Sequence, residues 1–507
     1  MKIFIAGASG ILGRDLCSHL DKEGVQYIGT YNTRPIRNGL KVDFFNESCL
    51  QETLLECKPS AVVNCIVERF TDVCEKNWDK TIKANVNIAD ILSRVCNKLG
   101  IYLVHISTDY VFDGRQPPYF PESKQNPLQN YGISKLIAEM RVSANTNNAL
   151  IIRVPVLYTD SYTYLDETAV TTLGKKAMNL VDDFTEDNVS IRRPVFIPDF
   201  CSFILSAIQS DYKGVYHYYN PADKTTKYEL TTNIASYLHL PHSHIKPINS
   251  FGDGAANRPI DTELLDKKYE IEKYFSTDVQ TGFRKCFEKF WHPRFTECPE
   301  DFLILFDMDG TLVDTEMHHY EAYKRVLEPF ASLSEEQFWR ATTQSTIEKM
   351  FEELNIPSNL WNTIRQEKKR VLCGLNKKID FIKGAPEFIK MLSDLGIKMV
   401  VVTNTNKEFV DVVRNSSEVF KCIDTWITRE DYVNAKPDNE CYKKAVDIYN
   451  GKKYIIGFEN TYNGFKAFEG VTTRTYCITD KNSYSYKLLK SEDTILIKDY
   501  SHFLDKL

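Results

Sequence analysis

The chain has 507 residues, 43% hydrophobic and 26% charged, with a formal net charge of −6. That length exceeds what one hydrophobic core organises, so two or three domains are expected. The composition describes globular material, and the charge supplies no basic field for nucleic acid. The longest apolar runs, KMVVVT and KYIIGF, have strand length and fall short of a bilayer span, so no membrane segment is expected. Gly7 and Gly10 interrupt the first apolar run, unlike a cleavable signal. Thirteen cysteines without a CxxC pair read as reduced thiols, and a cytoplasmic location is expected. His239, His242 and His244 lie close together in LHLPHSHIKP, but no Cys or acid accompanies them, so they read as ordinary surface histidines of a loop.

From residue 1 to about 155, β-rich runs (KIFIAG, VQYIGTY, AVVNCIV, YLVHIST, ALIIRVPV) alternate with amphipathic stretches such as 13–23 and 78–99. This alternation predicts βαβ crossovers and an α/β, doubly wound parallel sheet of Rossmann type. The next 140 residues are less regular and rich in Pro, Tyr and Asp, which predicts a small substrate lobe. WHPRFTECPED, residues 291–301, breaks the pattern and places a boundary near residue 297, giving domains 1–297 and 298–507. A second α/β series follows with FLILF, KMVVVT, TWIT, KYIIGF and TRTYCI, interrupted by a mostly helical insert over about 317–383.

Chemistry enters the first half at Gly7-Ala-Ser-Gly10-Ile11-Leu12-Gly13, directly after a strand and at a helix start. Gly7 permits a tight turn, Gly10 admits a pyrophosphate to backbone N–H groups, and Gly13 allows close helix–sheet packing. A NAD site usually places an acid after the second strand. Here GTYNTRPIR carries Arg34 and Arg37 instead, which suits the 2′-phosphate of NADP(H), a solvated basic loop being the alternative. Further on, ISTDYVFDG precedes NYGISKLIAEM, so Tyr131 and Lys135 stand at i and i+4 on one helix face. A nearby ammonium favours phenolate, so the phenol can exchange a proton with a carbonyl oxygen, and Thr108 could hold the same oxygen.

With these motifs on view, the first 295 residues resemble extended short-chain dehydrogenase/reductases of the dTDP-4-dehydrorhamnose reductase type. IIRVPVLY, RRPVFIPDF, TTKYELTTNIA and LPHSHIKPI are most similar to the regulatory β-subunit of methionine adenosyltransferase within that group. The resemblance implies Thr108, Tyr131 and Lys135 as catalytic residues. It implies Gly7, Gly10 and Gly13 for the cofactor, and with Ile11, Leu12, Arg34, Asn85, Tyr131 and Lys135 these make the expected cofactor site. Arg153 is followed by Val-Pro-Val-Leu-Tyr, without the tryptophan that rhamnose reductases place there for the sugar. Two roles stay open: NADPH-dependent reduction of a 4-keto nucleotide sugar, or an NADP-binding module that regulates a partner such as a methionine adenosyltransferase.

In the second half, FLILF ends in Asp307, with Asp309, Gly310 and Thr311 following. Two carboxylates at i and i+2 can divide nucleophilic attack from proton transfer, and a dianionic phosphoryl group also calls for Mg²⁺ and a cation. Thr403 after VVV, Lys436 in NAKPDN and Glu459 after KYIIGF supply those parts in order, with the alternative that the acids merely cap a helix. The set resembles the haloacid dehalogenase superfamily, subfamily I, with the insert as a C1 cap. It implies a Rossmannoid second domain, a phosphatase for a small phosphorylated metabolite, catalytic Asp307, Asp309, Thr403 and Lys436, and metal ligands Asp307, Asp309, Glu459 and Asn460. That family usually carries Asp where Asn460 stands, and an amide is a weaker ligand for a hard cation. The whole reads as a bifunctional enzyme of nucleotide-sugar metabolism with small-molecule substrates.

Overall fold

In a computed structural model of the chain, residues 1–250, 258–343, 345–375 and 378–504 are described. The chain forms two compact units. One comprises Met1–Gly174, Thr185–Ile234 and Ile245–Phe287; the other comprises Lys175–Phe184, Ala235–His244 and Glu288–Leu507.

The first unit is built on β1 (Lys2–Ala6), β2 (Gln26–Tyr31), β3 (Leu40–Lys41), β4 (Ala61–Asn64), β5 (Tyr102–Thr108) and β6 (Ala149–Val154). After β7 (Leu157–Tyr158), β8 (Phe184–Asp187) and β9 (Val195–Phe196) comes β10 (Gly214–His217). The main sheet has seven strands in the order β10-β6-β5-β4-β1-β2-β3, every pairing parallel. β7 pairs with β9, and β8 with β11 (Ile245–Ile248), as separate ribbons. Alternate residues of the sheet feed two cores. Ile3, Ile5, Val63, Val104 and Ile152 pack with the helix Ile197–Gln209, while Phe4, Ala6, Val62, Leu103 and Ile151 pack with Ile88–Leu99. Burial on both faces is why these strands read as continuous apolar runs.

Chain order reverses beside β1, which pairs with β2 on one side and β4 on the other. Such a reversal opens a crevice at the carboxyl ends of the strands, where ligands of doubly wound folds bind. Local structure departs from periodicity at two places. β4 stops at Asn64, whose side-chain oxygen accepts the Ile66 N–H at 3.1 Å and turns the chain. The 78–99 stretch is not one α-helix, because Ile82–Asn87 widens into a π-turn between Trp78–Thr81 and Ile88–Leu99. Such turns concentrate at functional positions, and this one carries Asn85.

The second unit holds β12 (Phe302–Phe306), β13 (Lys398–Val402), β14 (Thr425–Ile427), β15 (Tyr454–Glu459), β16 (Arg474–Ile478) and β17 (Ile495–Ile497). Their order is β14-β13-β12-β15-β16-β17, again wholly parallel. Between β12 and β13 lie the helices Glu316–Leu327, Glu335–Thr343, Ile347–Glu353 and Trp361–Gly374. They have their own core of Tyr320, Leu327, Phe338, Phe351 and Ile364. β17 is too short to announce itself by periodicity. Among the described residues no helix is long and apolar enough to cross a membrane.

Candidate active sites

In the first unit, Gly7 leaves β1 with φ +84°, a conformation side chains resist. A β-carbon on Gly13 would stand 2.4 Å from the Gly7 carbonyl oxygen, so helix Ile11–Lys22 approaches the turn as closely as backbone allows. Gly10 caps that helix without a side chain, leaving its first N–H groups for a ligand. Leu12 is buried and Ile11 partly buried against the core, so both offer the turn only backbone. Arg34 and Arg37 lie exposed beyond β2.

The cationic neighbourhood extends to Arg69, a residue that periodicity and motif gave no reason to single out. Burial lowers the Arg69 pKa, and the nearby Arg34 charge adds to that. Its guanidinium donates to the Glu167 carbonyl, while Arg14 pairs with the Glu167 carboxylate.

The reactive groups gather at the ends of β5 and helix Asn130–Asn145. The Thr108 hydroxyl accepts the Tyr110 N–H at 3.2 Å and interacts with the Tyr131 phenol. Tyr131 sits in the first helical turn, edge-on to Tyr110 with ring centroids 6.2 Å apart. Lys135 is 2% exposed, and its Nζ donates to the Ile106 carbonyl at 2.7 Å. Burial pushes the Tyr131 phenol above its usual range and Lys135 down to about 8. Asn85 accepts the Glu68 N–H at 2.7 Å and donates to Ser134 Oγ at 3.0 Å, bracing the helix one residue before Lys135. Beneath it, Arg153 of β6 holds Glu139 through Nε at 3.0 Å and Nη2 at 2.7 Å. Ser107 of β5 donates to the same carboxylate.

In the second unit, Asp307 follows β12 and Glu459 ends β15, the neighbouring strand. Lys436 reaches between them. Its Nζ meets Asp307 Oδ1 at 2.5 Å, Glu459 Oε1 at 2.9 Å and the Val402 carbonyl at 3.0 Å, which uses all three ammonium protons. Burial opposes that charge, but the two carboxylates hold Lys436 well above its usual range. The other Glu459 oxygen accepts the N–H groups of Asn460 and Thr461 at 2.8 and 2.9 Å.

Asp309 is directed elsewhere. Its oxygens accept from Thr315 at 2.5 Å, Thr405 at 2.7 Å and Thr403 at 3.2 Å. His319 Nε2 lies 3.2 Å away. Burial would raise this carboxyl, but His319 and the hydroxyls hold it below the usual range. Lys368, from the last helix of the insert, donates to His319 Nδ1 at 2.9 Å. Gly310 turns with φ +75°, where a β-carbon would lie 2.0 Å from Asn460 Nδ2. Asn460 donates in turn to Glu316 at 2.8 Å and accepts from Thr311 at 3.4 Å.

The model of the RmlD substrate binding domain matches residues 1–291, more than half of the chain. The chain belongs to the RmlD substrate binding domain family. The model of the haloacid dehalogenase-like hydrolases matches residues 304–458, so this RmlD-family chain carries a second, hydrolase-like domain. Methionine adenosyltransferase 2 subunit beta of Xenopus tropicalis is 31% identical over 274 residues, 53% of this chain and 81% of that protein. Among solved structures, a hypothetical dTDP-4-dehydrorhamnose reductase from Sulfolobus tokodaii is 28% identical with TM-score 0.48, covering 55% of this chain and 96% of that one. The dTDP-4-dehydrorhamnose reductase of Bacillus anthracis, in complex with NADP, is 25% identical with TM-score 0.47, covering 56% and 97%.

Of the expected residues in the RmlD-family chain, Gly7 and Thr108 stand at the carboxyl ends of β1 and β5, and Asp307, Thr403 and Glu459 at those of β12, β13 and β15. Sequence reasoning missed His319, Lys368, Thr315 and Thr405 in the hydrolase-like half, and Arg69, His105 and Glu139 in the other. For His319 a signal existed, since it stands one helical turn after Thr315. Lys368 had none, as a lysine on a polar helix reads as solvated.

Proposed function

We propose that the chain is bifunctional, pairing an NADPH-dependent reductase of 4-keto nucleotide sugars with a Mg²⁺-dependent phosphatase for a small phosphorylated metabolite. For the reductase, the carrying observation is that the glycine turn follows β1 and Thr108, which meets the Tyr131 phenol, ends β5 on the same carboxyl edge of the parallel sheet. That turn fits a dinucleotide, because the space a Gly13 side chain would fill is closed and backbone N–H groups are left free. A bound NADPH supplies the hydride. Tyr131 gives its phenolic proton to the substrate oxygen, Thr108 orients that oxygen, and Asn85 fixes the helix carrying Tyr131. The Tyr131→Phe chain should lose turnover by about 10²–10⁴-fold while binding NADPH as before. Arg34→Ala should weaken NADPH but not NADH by about 1.5–3 kcal/mol. NADPH oxidation against a panel of 4-keto nucleotide sugars tests both. Full activity of the Phe variant would remove Tyr131 as the acid.

A second reading has its own observation: the relatives named methionine adenosyltransferase 2 subunit beta, matched over 81% of their length. In it the first half binds NADP without turnover and docks on such an enzyme. Absence of oxidation on every keto sugar, with co-elution of a methionine adenosyltransferase, would favour it.

For the phosphatase, the carrying observation is the Asp307–Lys436–Glu459 bridge beside Asp309. The donor set fits Mg²⁺, which keeps several waters and needs only one or two carboxylates besides substrate phosphate. Asp307 Oδ2, the Asp309 carbonyl and Asn460 Oδ1 would hold it; Glu459, expected as a further ligand, has both oxygens engaged, by Lys436 and by the Asn460 and Thr461 N–H groups, and would fix Lys436 instead. Mg²⁺ neutralises phosphoryl oxygens when bound. As the anionic ester binds, Asp309 takes up a proton; an Asp307 oxygen then bonds to phosphorus as the ester oxygen leaves with that proton, and water finally bonds to phosphorus as the Asp307–phosphorus bond breaks, returning a proton to Asp309. Hydrolysis of an aryl phosphate should vanish in Asp307→Asn and on adding EDTA. Survival of activity through both would overturn the mechanism.

A further inference from the structure

The boundary expected near residue 297 leaves out part of the second unit. Lys175–Phe184 and Ala235–His244 fall among the residues matched to the RmlD substrate binding domain, yet both belong to the hydrolase-like unit. β17 has three residues and stands last in that unit's strand order. An edge strand offers a row of unpaired N–H and C=O groups. Here Leu180 donates its N–H to the Leu496 carbonyl at 2.9 Å, and the Leu496 N–H reaches the Met178 carbonyl at 2.9 Å. Asn179 and Leu496 form a parallel bridge. One strand further in, Arg474 of β16 donates from Nη2 to the Leu238 carbonyl at 3.1 Å.

From β17 the contacts lead to the second site. Val181, 1% exposed, shares an apolar cluster with Tyr486, Leu489 and Leu496, and Tyr462 and Phe465 pack against it. Those last two stand on the helix Tyr462–Ala467, which Thr461 caps directly after Glu459 and Asn460. Lys175 Nζ donates to the Ser491 carbonyl at 2.7 Å and lies 3.7 Å from Asp493. Glu492, next to both, accepts from Tyr462 at 3.1 Å and from Lys466 at 3.2 Å on the same helix. Asp182 meets Lys490 at 2.7 Å, Lys481 at 3.1 Å and the Tyr486 hydroxyl. Burial would raise the Asp182 carboxyl, but Lys490, Tyr486 and Lys481 hold it well below its usual range.

We propose that residues 175–182 are a positioning segment of the phosphatase site, holding the helix Tyr462–Ala467 and through it the Glu459–Asn460 loop. The competent second unit then includes this segment and is not residues 298–507 alone. Truncating Val181 loosens the cluster under Tyr462 and Phe465, and the loop that precedes their helix loosens with it. Asn460 Oδ1 then loses its place for Mg²⁺, and Glu459 its hold on Lys436. The catalytic role rests on the phosphatase reading; the dependence of the loop's order on the segment does not.

The test uses the full chain with Val181→Ala and Asp182→Ala as variants. In the wild type, hydrogen exchange should give the Leu180 and Leu496 amides one common opening rate. In Val181→Ala, exchange over residues 459–467 should quicken about tenfold. The Mg²⁺ dissociation constant, from calorimetry with MgCl₂ alone, should rise about tenfold, as for loss of a group that orients a ligand. Hydrolysis of an aryl phosphate should slow, while NADPH binding stays as in the wild type. Asp182→Ala should show the same changes in smaller measure. A merely structural role would lower the unfolding temperature but leave Mg²⁺ affinity and the 459–467 exchange unchanged, and that result overturns the proposal. Separate opening of Leu180 and Leu496 overturns it too. Should Val181→Ala not fold, Asp182→Ala and the wild-type exchange still decide. A wild type that binds Mg²⁺ yet hydrolyses no phosphate ester counts against the phosphatase reading alone.

Discussion

Asp309 shows how much one side chain's neighbours decide. Four donors surround it, and one, His319, is backed by Lys368. Burial brings Lys368 down to about 8, so its ammonium is present below that pH and lost above it. The charge polarises His319 and so holds the proton-moving carboxylate in place. We therefore expect phosphate hydrolysis to decline as pH rises through about 8. Lys368→Arg should move that decline to higher pH, because guanidinium stays protonated. Lys368→Met should be slow at every pH. A Met variant with wild-type kcat and an unchanged profile would dismiss this role. DxDGT made Asp309 legible in the sequence; its partners come from residues up to 96 positions away, which no local pattern links.

The helix Asn130–Asn145 is the element on which the first site depends, because it carries both Tyr131 and Lys135. It is fastened to the sheet by the buried Glu139–Arg153 pair, both side chains at most 5% exposed. Removing one member of such a pair strands the other charge away from water, which typically costs about 3–5 kcal/mol. Glu139→Gln should destabilise the unfolding transition that NADPH shifts by that amount. Met140→Ala, on the same helix but 64% exposed, should stay within about 0.5 kcal/mol. A Gln variant costing under about 1 kcal/mol would show that the pair does not anchor the helix. Periodicity announced this helix and YxxxK its function, but LIAEM alone does not reveal that Glu139 points at an arginine on β6.

At the scale of the molecule, two parallel sheets each present a reactive edge, and each edge is assembled within its own unit. The expected consequence is functional independence. Asp307→Asn should leave the NADPH dissociation constant within about twofold, and Tyr131→Phe should leave phosphate hydrolysis equally untouched. A tenfold change in either cross-measurement would show that the sites are coupled. The sequence by itself determined the α/β class, the two sheets, the glycine turn, the Tyr131–Lys135 spacing and the ordered acids and lysine of the second half. It could do so because a strand buried on both faces must be apolar, and because a turn or an i, i+4 pair is a local arrangement. Tertiary structure alone decided where these groups point. It set Lys436 between Asp307 and Glu459, turned Asp309 towards the insert, and placed Asn64 and His105 behind Lys135. Those contacts join neighbouring strands whose register depends on the whole sheet, and a side chain's ionisation depends on what that packing buries beside it.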